Sequence, residues 1–196
     1  MRQREETRAW QRMLSGRRLD LLNPSPLDIE IEDIAHGLAR VARWNGQTVG
    51  MHAFSVAQHC VLVERLASEL RPRLAREARL TALLHDAPEY VIGDLISPFK
   101  VAVGIDYKEF ELRLLSAIHI RFGLPARPPT DLLVLIKRAD RVSAFHEAIQ
   151  LAGFSPLEAR RYFGAPPEGL RRPKLVPLGP VEAQTQFLER FRRLTA

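Results

Sequence analysis

Leu80-Thr81-Ala82-Leu83-Leu84-His85-Asp86-Ala87-Pro88-Glu89 decides how this chain is read. Its leucines and alanines suit a helix packed in a protein interior, yet it carries an imidazole and a carboxylate side by side. A buried carboxylate beside an imidazole is costly unless its charge is compensated, and a divalent metal ion is the simplest compensation. Two further ligand types stand elsewhere: His59 in Ser55-Val56-Ala57-Gln58-His59-Cys60, and Asp140 in Ile136-Lys137-Arg138-Ala139-Asp140-Arg141. Two imidazoles and two carboxylates suit a borderline or hard divalent ion with positions left for water or substrate.

Helical periodicity surrounds these residues. Val56, Cys60, Val63, Ala67 and Leu70 step by three or four and predict a helix with one buried face, which His59 borders. A second helix is expected after Pro72, with Leu74, Ala78, Thr81 and His85 on one stripe. A third starts near Thr130-Asp131 and runs to about Ala152, with Asp140 in its middle. Others are expected from about Ile31 to Arg43, Asp106 to Phe122 and Val181 to Leu194, and residues 1–18 read as a frayed helix. No convincing strand pattern and no internal repeat stands out. Between Gly153 and Pro180 lie Pro156, Pro166, Pro167, Pro173, Pro177 and Pro180, a density that predicts an irregular wrap or lid. The candidate ligands therefore come from three helices, as the centre of a bundle can present them.

Composition narrows the class. A hydrophobic share of 46% and a charged share of 27% are those of a folded globular chain, and 196 residues suit one domain with a single core. The single cysteine, Cys60, excludes an intrachain disulfide framework and suits a reducing compartment. No apolar run approaches the roughly 20 residues needed to span a bilayer. No hydrophobic signal region follows the charged N-terminus, so a soluble cytoplasmic protein is expected. Net charge is +6, and four lysines stand among 29 basic residues. Arginines near both ends alternate with Glu5, Glu6, Asp20, Glu158, Glu168 and Glu189, which reads as a solvated surface, and nucleic acid is not the expected partner.

The order of His59, His85-Asp86 and a helical Asp140 resembles the HD-domain metal-dependent phosphohydrolases. The stretch Leu84-His85-Asp86-Ala87-Pro88-Glu89-Tyr90-Val91-Ile92-Gly93-Asp94-Leu95-Ile96-Ser97-Pro98-Phe99-Lys100 is similar to the signature of their bacterial 5′-deoxynucleotidase branch. Ser55-Val56-Ala57-Gln58-His59 resembles that branch's first-ligand segment, and Arg43-Trp44 stands near where the branch has an Arg-Trp pair, with a one-residue difference in spacing to His59. Phage deoxyadenosine triphosphohydrolases share the layout. The resemblance covers roughly residues 27–150.

That resemblance implies an all-α, compact helical bundle: one HD-type domain over residues 1–196. Its core would span about 27–152, followed by a proline-rich wrap over 153–180 and a terminal helix over 181–194. It implies His59, His85, Asp86 and Asp140 as ligands of one divalent metal ion (cobalt, manganese, zinc, iron or magnesium), Glu89 as the acid/base and Asp94 as a second functional carboxylate. Arg43, Trp44 and Lys100 become substrate contacts. The absence of a further His pair after His85 points to one metal. The implied activity is phosphate release from deoxynucleoside 5′-monophosphates by water activated at the metal. Alternatives are a deoxynucleoside triphosphate triphosphohydrolase and a non-catalytic nucleotide-sensing or nucleic-acid-binding module. A homo-oligomer is expected from the likeness. On the residues alone Asp94 also reads as a turn residue, Trp44 as a core anchor and Lys100 as a solvated lysine. His36, His52, His119 and His146 match no motif and read as surface or core residues, and Cys60 as a small core residue.

Overall fold

The computed structural model describes residues 9–94 and 107–196, and Lys100 lies outside them. Eight α-helices are described: α1 Ile31–Leu38, α2 Val56–Leu70, α3 Arg76–Leu83, α4 Glu89–Ile92, α5 Tyr107–Arg121, α6 Thr130–Gln150, α7 Pro156–Phe163 and α8 Pro180–Thr195. A two-stranded antiparallel hairpin, β1 Trp10–Arg12 with β2 Arg18–Asp20, precedes them. The fold is a helical bundle in which no described helix is long and apolar enough to cross a membrane.

Helix α2 is the axis. Ser55 caps it by accepting from the Gln58 N–H, and residues 55–64 are buried without a break. The periodicity predicted one buried face; the structure buries every side of these turns because α2 is enclosed. One side joins α1, α4, α5 and α8 in a core containing Ile34, Leu38, Cys60, Leu83, Leu84, Ile118 and Phe187. The other meets α3 and α6 through Val63, Leu66, Leu135, Ile136 and Ala139. Fully burying such aliphatic side chains is worth about 1.5–3 kcal/mol each, so this double enclosure holds His59 in a rigid place.

His85 and Asp86 do not lie on a continuous helix. Helix α3 ends at Leu83, and residues 84–88 follow as tight turns in which the Ala87, Glu89 and Tyr90 N–H groups bond carbonyls three residues back. Pro88 lacks an N–H and cannot extend α3. The chain re-enters a helix at Glu89 and leaves it after one turn through Gly93, whose φ of +76° suits glycine. Helix α1 crosses α4 at Gly37, where a Cβ would come 2.8 Å from both the Cβ and the carbonyl oxygen of Tyr90. Glycine is needed there for the backbones to approach.

Three further expectations differ. Residues 10–20 form the hairpin rather than a frayed helix: Asp33 of α1 accepts from the Ser15 N–H and hydroxyl, pinning the connection between the strands. Helix α1 stops at Leu38, before the expected Arg43, and the chain then runs back antiparallel to residues 54–56 through an Ala42–Ser55 bridge. Helix α7 stands inside the proline-rich stretch because Pro156 occupies its first turn and Ser155 with Glu158 forms a capping box. The following segment to Gly179 is extended and wraps α2 and α6. Gln58 donates to the Val176 carbonyl and accepts from Leu178 N–H; Gln150 does the same with Pro173 and Leu175.

Candidate metal centre

Four of the candidate side chains converge. His59 Nε2 lies 3.4 Å from Asp86 Oδ2 and 3.4 Å from Asp140 Oδ1, and His85 Nε2 lies 3.2 Å from Asp86 Oδ2. One ligand atom from each of His59, His85 and Asp140 lies within 4.8 Å of the others. The elements explain the placement: α2 supplies His59, the turns after α3 supply the pair, and α6 supplies Asp140.

Both imidazoles use Nδ1 on the protein and leave Nε2 without a hydrogen-bond partner. His59 Nδ1–H donates to Glu147 Oε1 at 2.6 Å, and His85 Nδ1–H donates to the Ala82 carbonyl at 3.0 Å. Each Nε2 is buried without a hydrogen-bond partner. A carboxylate or carbonyl behind a histidine is the arrangement that orients metal-ligating imidazoles. A lone pair aimed at carboxylates is repelled unless a cation lies between them, so the donor set fits a divalent ion. When metal-free, the cluster resolves that repulsion with protons. Burial opposes charging His85, but Asp86 overcomes it and lifts the group to about 10. Burial likewise opposes charge on His59, and Glu147, Asp140 and Asp86 outweigh it. Asp86 and Asp140 resist their burial and are held below the usual carboxylate range, chiefly by His85 and His59 respectively. A bound cation displaces such protons.

Glu89 is the first residue of α4 and is 4% exposed, with Oε2 unpartnered. Burial, then Asp86 and Asp94, push it to about 9, although Arg43 and His59 act against this. In the metal-free protein these surroundings favour the neutral carboxylic acid. Asp94 accepts from Arg43 Nη1 at 3.1 Å. Arg43 also donates from Nε to Glu147 Oε2 at 3.3 Å, so two of its three nitrogens are engaged, and despite burial Glu147 and Asp94 hold it charged.

Trp44 donates from Nε1 to Glu147 at 2.9 Å and packs its ring on Phe154 and Phe163. Its φ of +58°, and the +50° of Asn45, are left-handed values that non-glycine residues seldom adopt. The structure thus engages Trp44 as an anchor between α6 and α7.

Glu147 is the residue that sequence reasoning missed. It is fully buried and accepts from His59, Ser143, Trp44 and Arg43, and although burial opposes its charge, His59, Arg43 and Ser143 hold it at about 2. Ser143 and Glu147 follow Asp140 by three and seven positions on α6, a helical stripe that was visible in the sequence. Lys137 was also passed over; its Nζ lies 2.7 Å from Asp140 Oδ2. A cleft of about 210 Å³ opens at the cluster. Thr81, His85 and Asp86 line it from α3 and the turns beyond, Leu115 and His119 from α5, and Leu133, Ile136, Lys137 and Asp140 from α6. The proline-rich wrap contributes no described lining residue.

The chain matches the HD domain family over residues 56–144, which contain all four convergent side chains. It is also 60% identical, over 173 residues, to an uncharacterized protein of Rhodobacter capsulatus, covering 88% of each chain. This chain belongs to the HD-domain family of metal-dependent phosphohydrolases. As an HD-domain protein it is a hydrolase in general type, and its cluster is one that could hold a divalent metal ion.

Proposed function

We propose that this HD-domain protein holds one divalent ion between His59, His85, Asp86 and Asp140 and releases phosphate from deoxynucleoside 5′-monophosphates. The observation that carries the reading is the pair of orphaned Nε2 atoms beside two carboxylates, with a neutral buried Glu89 on the next turn. A bound divalent ion supplies Lewis acidity toward a phosphoryl oxygen and lowers the pKa of water.

The chain's own residues supply the rest. Glu89 holds a proton at its carboxyl and donates it to the leaving 5′ oxygen. Asp94 and Glu147 fix the Arg43 guanidinium, whose remaining nitrogen would then meet a phosphate oxygen. Trp44 acts by stiffening the wall that carries Arg43. Burial on both sides of α2 keeps the His59 ring from rotating. The nucleotide substrate and the monophosphate preference rest on the similarity of residues 84–100 to the 5′-deoxynucleotidase signature.

Product identification tests the reading. Metal-stripped protein receives one divalent metal at a time with dAMP or dATP. Metal-dependent phosphate from dAMP is expected; triphosphate from dATP would replace the reading with a triphosphohydrolase. Asp140→Ala should lose metal binding and activity together, and full activity in that variant would remove the site assignment.

A further inference from the structure

His119 lies on α5 one turn after Leu115, and the two line the cleft that also contains His85, Asp86 and Asp140. It is 1% exposed, yet neither ring nitrogen has a hydrogen-bond partner. The carbonyl groups of Pro125 and Ala126 lie near the ring without completing a well-formed bond. Leu114 and Ile118, its neighbours on the same helix, fill the adjacent core with aliphatic bulk. A leucine at 119 would do the same without leaving a polar group unpaired. The position therefore holds hydrogen-bonding capacity that the protein itself uses only weakly.

Burial lowers the basicity of the ring and keeps it neutral. A neutral imidazole offers one N–H and one bare nitrogen. A carbonyl beside one ring nitrogen favours the N–H there and makes the other nitrogen the acceptor. Such a nitrogen accepts from a hydroxyl or an amino group and is a poor partner for an anionic phosphate oxygen. Leu115, Leu133 and Ile136 make the adjoining wall aliphatic, suited to a sugar or base rather than to a charged group.

We propose that His119 is a substrate-contact residue that accepts a hydrogen bond from the nucleoside part of the substrate, either a sugar hydroxyl or an exocyclic amino group. The proposal rests on the nucleotide reading above.

Full-length, manganese-loaded protein is assayed on dAMP, on 2′,3′-dideoxyadenosine monophosphate, on the purine 2′-deoxyriboside monophosphate that lacks the amino group, and on p-nitrophenyl phosphate. His119→Leu keeps the bulk, and His119→Gln returns an acceptor. His119→Leu is expected to raise KM for dAMP roughly 5- to 10-fold with kcat little changed. It should leave p-nitrophenyl phosphate within about twofold, and His119→Gln should recover part of the loss. The wild type should show the same loss on one analogue: the dideoxy compound if a hydroxyl is the donor, the purine compound if an amine is. His119→Leu should be indifferent to that deletion. Equal losses on dAMP and p-nitrophenyl phosphate, an unchanged KM, or indifference of the wild type to both deletions would overturn the proposal. If the wild type hydrolyses no nucleotide, the functional reading fails on its own. Calorimetric binding of 2′-deoxyadenosine then decides His119: weaker binding in His119→Leu supports the contact, and equal binding, or none by the wild type, overturns it.

Discussion

Glu147 and Glu89 are both buried glutamates in one site, and they behave as opposites. Glu147, behind the candidate metal cluster, accepts from four side chains and stays ionised, with its pKa held at about 2. Glu89, beside the cluster on α4, has an unpartnered oxygen and two like-charged neighbours, and its pKa stands at about 9. Burial acts on both in the same direction, toward the neutral acid. Donors decide the outcome: His59, the Arg43 guanidinium and Ser143 keep Glu147 an anion, and that anion orients His59. Their scarcity leaves metal-free Glu89 favouring the protonated form. A carboxylate's role in this protein is set by what surrounds it rather than by its depth.

The contrast can be broken most directly at Glu89. Glu89→Gln should lower kcat by about 10²- to 10⁴-fold while metal affinity stays close to wild type. Retained turnover would remove Glu89 from proton transfer. Glu147→Gln should instead be a variant of stability and affinity. Taking one partner from a buried charged network costs on the order of 3–5 kcal/mol, and losing the group behind a metal-ligating histidine costs about 10- to 100-fold in metal affinity. Urea denaturation and calorimetric titration measure both. A Glu147→Gln variant that folds and binds metal like wild type would mean that His59 is oriented by packing alone.

The pH dependence of metal-free protein sharpens the comparison, because the two glutamates act with opposite sign. Between pH 2 and the ordinary value of 4.5, folded Glu147 holds less proton than the unfolded chain. Its stability is present above 4.5 and is lost as pH falls toward 2, with a limiting slope of about 1.4 kcal/mol per pH unit. Between 4.5 and about 9, folded Glu89 holds more proton than the unfolded chain, so stability declines as pH rises through that window. Glu89→Gln should flatten the upper window when compared with wild type, and Glu147→Gln the lower one, with an added change above the ordinary histidine range because Glu147 also holds His59 up. The smallest effect is expected at Gly37. Gly37→Ala pushes a Cβ against Tyr90 and shifts α4 with Glu89 on it, costing about 1–3 kcal/mol and part of kcat while sparing metal affinity. Unchanged kinetics would show that α4 tolerates the shift.

The convergent set was legible because metal ligation admits few residue types, and those types are out of place among buried leucines and alanines. Glu147 was not, since a glutamate on a helix is ordinarily solvated, like Asp131 at the start of the same helix, and its one signal was the stripe it shares with Asp140 and Ser143. The proline density of 153–180 hid α7, although Ser155 and Glu158 stood at capping-box spacing. The hairpin escaped because three-residue strands are too short to show alternation. His119 was set aside because no motif contains it, and only the cleft and its missing partners make it a candidate.

By itself the sequence determined a helical protein, through apolar periodicity, and named His59, His85, Asp86 and Asp140, through residue chemistry. It also carried enough likeness around residues 84–100 to point to the family. Tertiary structure alone decided which nitrogen of each histidine faces the cluster, which glutamate is an anion and which an acid, and that Arg43 and Trp44 meet Glu147 from more than a hundred positions away. Periodicity and residue type are local properties, whereas desolvation and pairing depend on neighbours that only the folded chain brings together.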